Sequence, residues 1–297
     1  MNIVYSTDNN YAPYCGISII SLLENNKEEN INIYIIAYNI SLESKISFQK
    51  IAEKYNVNIK TIDIGDEIIR QCPVPNSDGY FTQANFIRLF LTTILPELDK
   101  VIYLDCDIIV KQDLSKLWNT DITNYSLGAV IDIAAEHKRF EGYINSGVLL
   151  INLDYWRKNN IQQKFIEYIE NGGVCDFVDQ DVINYELKGT ILYLSMKYNV
   201  QTPFYFRKSR YPDYQKEINK AIIDTAIIHY TYAVKPWNKE SLHPKTNTFL
   251  HYMRMSEWKS MKLDWNHASN RKRKIRFYKR KFLISLGLKK SIYKNIR

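Results

Sequence analysis

Along its first 110 residues the chain alternates between short β-branched apolar runs and longer stretches whose apolar positions recur three and four apart. The short runs predict strands at 2–6, 31–38, 57–64 and 101–110, and the longer patterns predict helices near 10–26, 42–55, 66–71 and 82–94. Strand and helix in alternation specify a mostly parallel sheet covered on both faces, a class that takes ligands at the carboxyl ends of its strands. The prolines and polar residues of 73–79 mark a loop. Further strands are predicted at 126–131, 143–151, 190–194 and 225–230, with helices near 153–171 and 178–188. The stretch 199–213, rich in Tyr, Phe and Pro, reads as irregular, and the residues after about 240 read as helical. The expected division is an α/β unit at 1–240 followed by a helical extension at 241–297.

One segment breaks the binary pattern. Val101 to Val110 is apolar and β-branched except for Asp105 and Asp107, which are separated only by Cys106. Ionised carboxylates are rarely buried unless they are paired or bound to a cation, so this strand calls for a positive partner. A divalent ion is one candidate, because Mg²⁺ or Mn²⁺ takes one or two protein carboxylates and fills the remaining positions with phosphate oxygens. The plainer alternative is a strand that ends at Leu104 and leaves two turn aspartates in water. Strand alternation points Cys106 away from its neighbours, as core filler. An apolar strand ending in Asp-x-Asp also occurs in haloacid-dehalogenase-type phosphatases, where it closes the first strand of the domain. Here about 100 residues of α/β pattern precede it, which favours the use of such a pair to hold a metal on a sugar nucleotide.

Bulk properties narrow the picture further. The 297 residues suffice for one large α/β domain or two smaller ones, and 45% hydrophobic with 24% charged residues is ordinary globular composition. No run of about 18 apolar residues and no basic, apolar leader is present, so neither a membrane span nor a signal peptide is expected. Cys15, Cys72, Cys106 and Cys175 show no metal or disulfide spacing, consistent with unpaired thiols in a reducing, cytoplasmic setting. The charge is uneven. Residues 271–297 hold twelve Lys/Arg and no acid, which leaves 28 Lys/Arg against 32 Asp/Glu before them. Within that tail Ile275, Tyr278, Phe282 and Leu286 recur at helical spacing, widened by Phe277, Leu283 and Ile284, as in a basic amphipathic helix lying on an anionic membrane. The alternatives are that the tail packs on the enzyme beside an acceptor groove or recruits a partner glycosyltransferase. No nucleic-acid-binding motif interrupts the strands, so nucleic acid is not an expected partner.

Five separated segments carry a family resemblance: Ser6-Thr7-Asp8-Asn9-Asn10-Tyr11, Asp105-Cys106-Asp107, the run from Tyr143 to Leu153 containing Asn145-Ser146-Gly147, Asp179-Gln180-Asp181, and His229-Tyr230 with Lys235-Pro236-Trp237. In this order they resemble glycosyltransferase family 8, in particular its bacterial lipopolysaccharide-galactosyltransferase type, over about residues 1–260. The resemblance implies a GT-A type nucleotide-diphospho-sugar transferase fold with a mostly parallel central sheet flanked by helices. It implies a retaining transfer of galactose or glucose from a UDP-sugar to a glycan, glycolipid or glycoprotein acceptor. Asp8, Asn10 and Tyr11 would hold the uracil. Asp105, Asp107 and His229 would bind the metal, with Asp105 also near ribose and donor sugar. Arg88, Asn145, Asp179 and Gln180 would surround the sugar, and Lys235 would meet the departing β-phosphate. An imidazole ligand suits Mn²⁺ better than Mg²⁺, so manganese is expected and magnesium is the alternative. No residue stands out as a nucleophile. The resemblance implies same-face attack, with the leaving phosphate taking the acceptor's proton and Gln180 supporting the developing oxocarbenium ion.

Each residue also has a plainer role open to it. Asp8 or Asn10 could cap the next helix, His229 could be a buried imidazole donating to a carbonyl, Lys235 a surface lysine, and Asp181 a helix-terminal carboxylate. The chain departs from the family pattern at Tyr232, where a glycine is usual, at Asn9, usually Asp, and at Phe86, usually Tyr. The loop 133–142 is shorter than the acceptor-covering loop of the galactosyltransferase type, so acceptor choice transfers least well.

Overall fold

The computed structural model describes residues 1–65, 68, 83–174, 176–207, 211–266 and 270–294. The predicted loop at 73–79, all but Ile68 of the predicted helix at 66–71, and Cys72 and Cys175 lie outside the described residues. Along the chain run β1 (Asn2–Asp8), α1 (Ala12–Glu24), β2 (Asn32–Tyr38), α2 (Leu42–Tyr55), β3 (Asn58–Asp63), a 3-10 helix (Gln83–Phe90), α3 (Leu91–Ile94), β4 (Lys100–Leu104) and β5 (Ile108–Val110). Then follow α4 (Ser115–Trp118), β6 (Leu127–Ile131), β7 (Ile144–Asn152), α5 (Leu153–Lys158), α6 (Ile161–Glu170), α7 (Asp179–Glu186), β8 (Ile191–Tyr193), β9 (Val200–Gln201), α8 (Gln215–Ile223), β10 (Ile227–His229), α9 (Thr246–Met255) and α10 (Arg271–Ser285).

Seven strands form one sheet in the order β3-β2-β1-β4-β7-β6-β8. β3, β2, β1 and β4 are mutually parallel, β7 runs against both of its neighbours, and β8 is parallel to β6. The sheet is therefore mostly parallel and flanked by helices, as the strand and helix alternation implies. Successive strand residues feed opposite faces. Ile3, Tyr5 and Leu150 pack with α1 and with Phe249 and Tyr252 of α9, whereas Val4, Tyr103 and Leu149 pack with Trp156, Phe165 and Val182. Each such side chain taken fully from water contributes roughly 1.5–3 kcal/mol.

The expected single strand at 101–110 is two strands in two sheets. β4 ends at Leu104, and β5 joins a separate three-stranded sheet of order β5-β10-β9. The reason is electrostatic: a continuous central strand would carry both carboxylates through the core, whereas a break at the sheet's carboxyl end delivers them to a polar cleft. The expected helix at 153–171 is likewise two, because Asn160 adopts a left-handed conformation (φ 52°) that ends α5 and restarts the chain as α6. The segment 83–94 begins as a 3-10 helix, and α8 went unpredicted beside the irregular stretch at 199–213.

Candidate active site

The carboxyl end of β4 and the short second sheet meet at Asp105 and Asp107. Asp105 still donates its N–H to the Gly147 carbonyl (2.9 Å), the last rung of the β4–β7 ladder. In the second sheet the antiparallel register sets His229 opposite Ile108, and the Tyr230 N–H donates to the Asp107 carbonyl (3.0 Å). Backbone pairing alone thus brings the imidazole of β10 against the aspartates. His229 Nε2 lies 3.2 Å from Asp107 Oδ1 and 3.8 Å from Asp105 Oδ2. The three side chains offer ligand atoms within 4.8 Å of one another.

Gly147 makes this approach feasible. A Cβ built there would lie 2.3 Å from His229 Cε1 and 2.6 Å from Asp105 Oδ2, so only glycine lets β7 pass beneath both groups.

Cations hold the carboxylates in place. Lys235 Nζ donates to Asp107 Oδ2 (2.6 Å) and to the Tyr230 carbonyl (2.6 Å). Burial alone would raise the Asp107 carboxyl, but the charges and hydrogen bonds of Lys235 and His229 outweigh it and hold the group below the usual carboxylate range. Arg88 is buried beneath the cleft over the Tyr103 ring, its guanidinium carbon 4.3 Å from the ring centroid. It donates to Asp105 Oδ1 (2.9 Å) and to the Ser146 carbonyl (2.7 Å), and its Nε lies 3.0 Å from Asp179 Oδ2. Against burial, Asp105 and Asp179 keep that guanidinium charged. Burial dominates for Asp179, which is pushed up to about 6 despite Arg88. The close Arg88–Asp179 approach lacks the alignment of a hydrogen bond, and Asp179 Oδ2 is a buried oxygen without a donor.

Beside these charges lies a pair of amides, Asn145 buried and Gln180 half-buried. Asn145 Nδ2 donates to Asp132 Oδ2 (3.1 Å) and Gln180 Oε1 (3.2 Å), and Gln180 Nε2 donates to Asp132 Oδ2 (3.2 Å). The Ser146 N–H also donates to Gln180 Oε1 (3.1 Å), so this oxygen is held from two sides. Asp132 and Asn199 were absent from the sequence expectation. Asp132 stands at the end of apolar β6 as Asp8 does at the end of β1, and that parallel could have found it. Asn199 sits in the stretch read as irregular and gave no such signal. Asp181 has a structural role: its oxygens accept from the Tyr143 hydroxyl (2.6 Å) and the Phe177 N–H (2.8 Å).

The β1–α1 turn forms the other wall. Asp8 Oδ1 accepts from the Tyr11 N–H (2.9 Å), so this carboxylate does shape the turn before α1. Asn9 Oδ1 accepts from the Ser41 N–H (2.9 Å) and the Ser44 hydroxyl (3.1 Å), tying the turn to α2. Asn10 is exposed, and Tyr11, 41% exposed, stands edge-on to Tyr14 and Trp237. Tyr14 and Trp237 stack at 3.6 Å, which joins this wall to the loop carrying Lys235. Tyr232 packs on Phe206 (5.4 Å between centroids), which in turn packs on Tyr293 from the tail. The structure therefore gathers Arg88, Asp105, Asp107, Asn145, Asp179, Gln180, His229 and Lys235 into one cleft, with Asp8, Asn10 and Tyr11 on the turn that follows the adjacent strand.

Two carboxylates and an imidazole converging around a Gly-lined space, with a lysine ammonium already on one carboxylate, are a donor set suited to a borderline or hard divalent cation. That cluster, at the carboxyl end of a mostly parallel sheet, is the arrangement expected of a GT-A type glycosyltransferase. The chain belongs to glycosyl transferase family 8, whose sequence profile matches residues 2–241. General stress protein A of Bacillus subtilis (strain 168) is 31% identical over 88% of this chain and 96% of its own length. Lipopolysaccharide 1,2-glucosyltransferase of Escherichia coli (strain K12) is 30% identical over 87% of this chain and 79% of its own. The solved structure of galactosyltransferase LgtC in complex with donor and acceptor sugar analogs superposes with a TM-score of 0.74 at 28% identity, covering 86% of this chain and 96% of that one. The phosphatase alternative finds no support, since the aspartate pair follows the fourth strand. Among the described residues no helix is long and apolar enough to cross a membrane.

Proposed function

We propose that this glycosyltransferase is a retaining hexosyltransferase that moves galactose or glucose from a UDP-sugar to a glycan acceptor, such as a surface polysaccharide, a glycolipid or the glycan of a secreted adhesin. The observation that carries the reading is the convergence of Asp105, Asp107 and His229 within 4.8 Å. A divalent ion held there, manganese before magnesium because of the imidazole, would act as Lewis acid on the diphosphate while the anomeric C–O bond breaks. Lys235 adds a point charge for the departing β-phosphate. Asp8, Asn10 and Tyr11 take the uracil, while Arg88, Asn145 and Asp179 read the sugar hydroxyls. Asp105, besides holding the metal, would stand near the ribose and the donor sugar. Gln180 presents an amide oxygen pinned by two donors, which suits it to stabilise positive charge at the anomeric carbon and not to attack it.

Residues 1–240 make up the catalytic unit in this reading, and 241–297 the extension. Helix α10 turns Phe277, Arg280 and Ile284 towards the body and leaves Ile275, Tyr278, Phe282 and Leu286 between 55% and 63% exposed. An exposed apolar stripe flanked by Arg271, Lys272 and Lys279 fits an anionic membrane surface, placing the enzyme as a peripheral protein beside its acceptor. A panel of UDP-sugars, assayed for hydrolysis and transfer with Mn²⁺, Mg²⁺ or chelator, tests the donor and metal assignments together. Turnover of UDP-galactose or UDP-glucose that disappears with chelator and returns with Mn²⁺ is expected. Turnover indifferent to chelator would overturn the metal role, and inactivity with both donors the sugar assignment.

A further inference from the structure

We infer that Asn199 is a positioning residue which sets the tautomer of His229, and that it does so through a chain of amides beginning at one backbone N–H. The inference rests on the metal-site reading above, but its logic needs only hydrogen-bond polarity. A backbone N–H can only donate, and that of Gly147 meets Asn145 Oδ1 at 3.1 Å. The Asn145 oxygen must therefore face Gly147. The other end of that amide faces Asp132 Oδ2 at 3.1 Å, an oxygen that accepts, which fixes the same orientation independently. Asn199 approaches the Asn145 oxygen at 2.8 Å, so the group it presents is its NH₂. Its own oxygen is then turned to His229 Nδ1, at 2.9 Å. An oxygen there requires the ring to carry a proton on Nδ1, which leaves Nε2, 3.2 Å from Asp107 Oδ1, as the one ring nitrogen able to offer a lone pair to a cation in the space shared with Asp105 and Asp107.

Burial leaves this chain no competing partner from solvent. Asn199 is fully buried, and Asn145 and His229 are 7% and 3% exposed. The backbone supplies the placement: β9 begins one residue after Asn199, and its parallel pairing sets Val200 beside Ile228 and Gln201 beside His229. The proposed metal ligand and the sugar-facing amides Asn145 and Gln180 thus share one polar string, buried from His229 through Asn199 to Asn145. A change at Asn199 should reach both.

Loss of such an outer partner typically costs 10- to 100-fold in metal affinity. Asn199→Leu keeps approximate volume but removes the acceptor for Nδ1–H, whereas Asn199→Asp keeps an oxygen towards His229. Mn²⁺ binding to the full-length protein, measured by electron paramagnetic resonance without donor sugar, should weaken by about 10- to 100-fold in Asn199→Leu. It should weaken less in Asn199→Asp, which keeps the acceptor for Nδ1–H while losing the donor to Asn145 Oδ1, with thermal melting confirming that both are folded. Nitrogen-15 NMR of the metal-free wild type in mildly alkaline buffer, assigned with His229→Gln, should show that Nδ1 carries a proton. Wild-type Mn²⁺ affinity in a folded Asn199→Leu, or a His229 whose Nδ1 carries no proton, would overturn the inference. Should the wild type bind no Mn²⁺, the metal-site reading fails, while the NMR measurement still decides the tautomer. It also decides the matter if Asn199→Leu does not fold.

Discussion

The cleft around Asp107 and the helix α10 are both charged regions, and they are built on opposite terms. In the cleft Arg88, Asp179, Asn145 and His229 are buried, and most polar atoms meet partners fixed by strand pairing. Helix α10 has no buried residue; along its length Phe277 and Tyr278 meet the Trp265 ring edge-on, and backbone hydrogen bonds tie down the chain on either side of it. Before it, the Lys239 N–H donates to the Asp264 carbonyl and Asn266 Nδ2 to the Ala233 carbonyl. After it, Arg207 and Lys294 exchange backbone hydrogen bonds with Ile292 and Tyr205. Chemistry at a particular atom needs side chains held to a few tenths of an ångström, and burial with satisfied partners provides that. Attraction to a charged surface needs only a field, which exposed flexible side chains provide. The comparison therefore predicts that single substitutions in the cleft act strongly on turnover and those on α10 act on location.

The largest effect belongs to the cluster. Asp107→Ala or His229→Ala should lower turnover by on the order of a thousandfold, as loss of a preorganised charge does, with the melting transition retained. Turnover within tenfold of the wild type would show the cluster to be a structural ion-pair network. Lys235→Ala comes next, at about a hundredfold in kcat with little change in KM, because the β-phosphate gains charge only as its bond breaks. A raised KM at constant kcat would make Lys235 a ground-state binder. The tight Tyr232–Phe206 packing beside its loop makes this a sensitive test of whether the departure from glycine shifts the lysine.

A smaller effect is expected where the two regions join. His243 is caged by Tyr205, Tyr230 and Tyr293, accepts from the Lys245 N–H through Nδ1, and burial pushes its ring down to about 3 from 6.5. An unfolded chain takes up this proton below about 6.5 while the folded one refuses it, so the stability His243 confers is present above 6.5 and lost as pH falls towards 3. The slope is about 1.4 kcal/mol per pH unit across that window. Urea unfolding at several pH values should show His243→Phe with a flatter acid limb; an unchanged limb would place the acid sensitivity elsewhere. The least effect on catalysis is predicted for Ile275→Asp combined with Phe282→Asp on the outward face of α10. Co-sedimentation with anionic vesicles should be lost while UDP-sugar hydrolysis stays within about twofold, since the exposed residues contribute only to interfacial attraction. Undiminished vesicle binding would favour the acceptor-groove alternative for the tail. The double substitution is cleaner than deleting 271–297, which would also remove Tyr293 from the His243 cage.

What could be read in advance follows the same division. Periodicity exposed β1, β2, α2 and β7, because a sheet buried on both faces demands apolar runs that few other arrangements use. The aspartate pair announced itself by violating such a run. The break between β4 and β5 was hidden, because Ile108 to Val110 are as apolar as Val101 to Leu104 and only pairing with β10 assigns them to another sheet. Asn199 was hidden for a related reason. Its importance comes from a hydrogen bond to His229, 30 positions away, and an asparagine among Tyr and Pro looks like a loop residue until β9 pairs with β10.

The central claim is that Asp105, Asp107 and His229 hold a divalent ion on which the diphosphate of the donor rests. Calorimetric titration of UDP into the full-length protein, with Mn²⁺ and again with chelator, tests it most directly. The account predicts saturable UDP binding that requires Mn²⁺ and is lost in Asp107→Ala; equal UDP affinity with and without the ion, or in the wild type and Asp107→Ala alike, would contradict it.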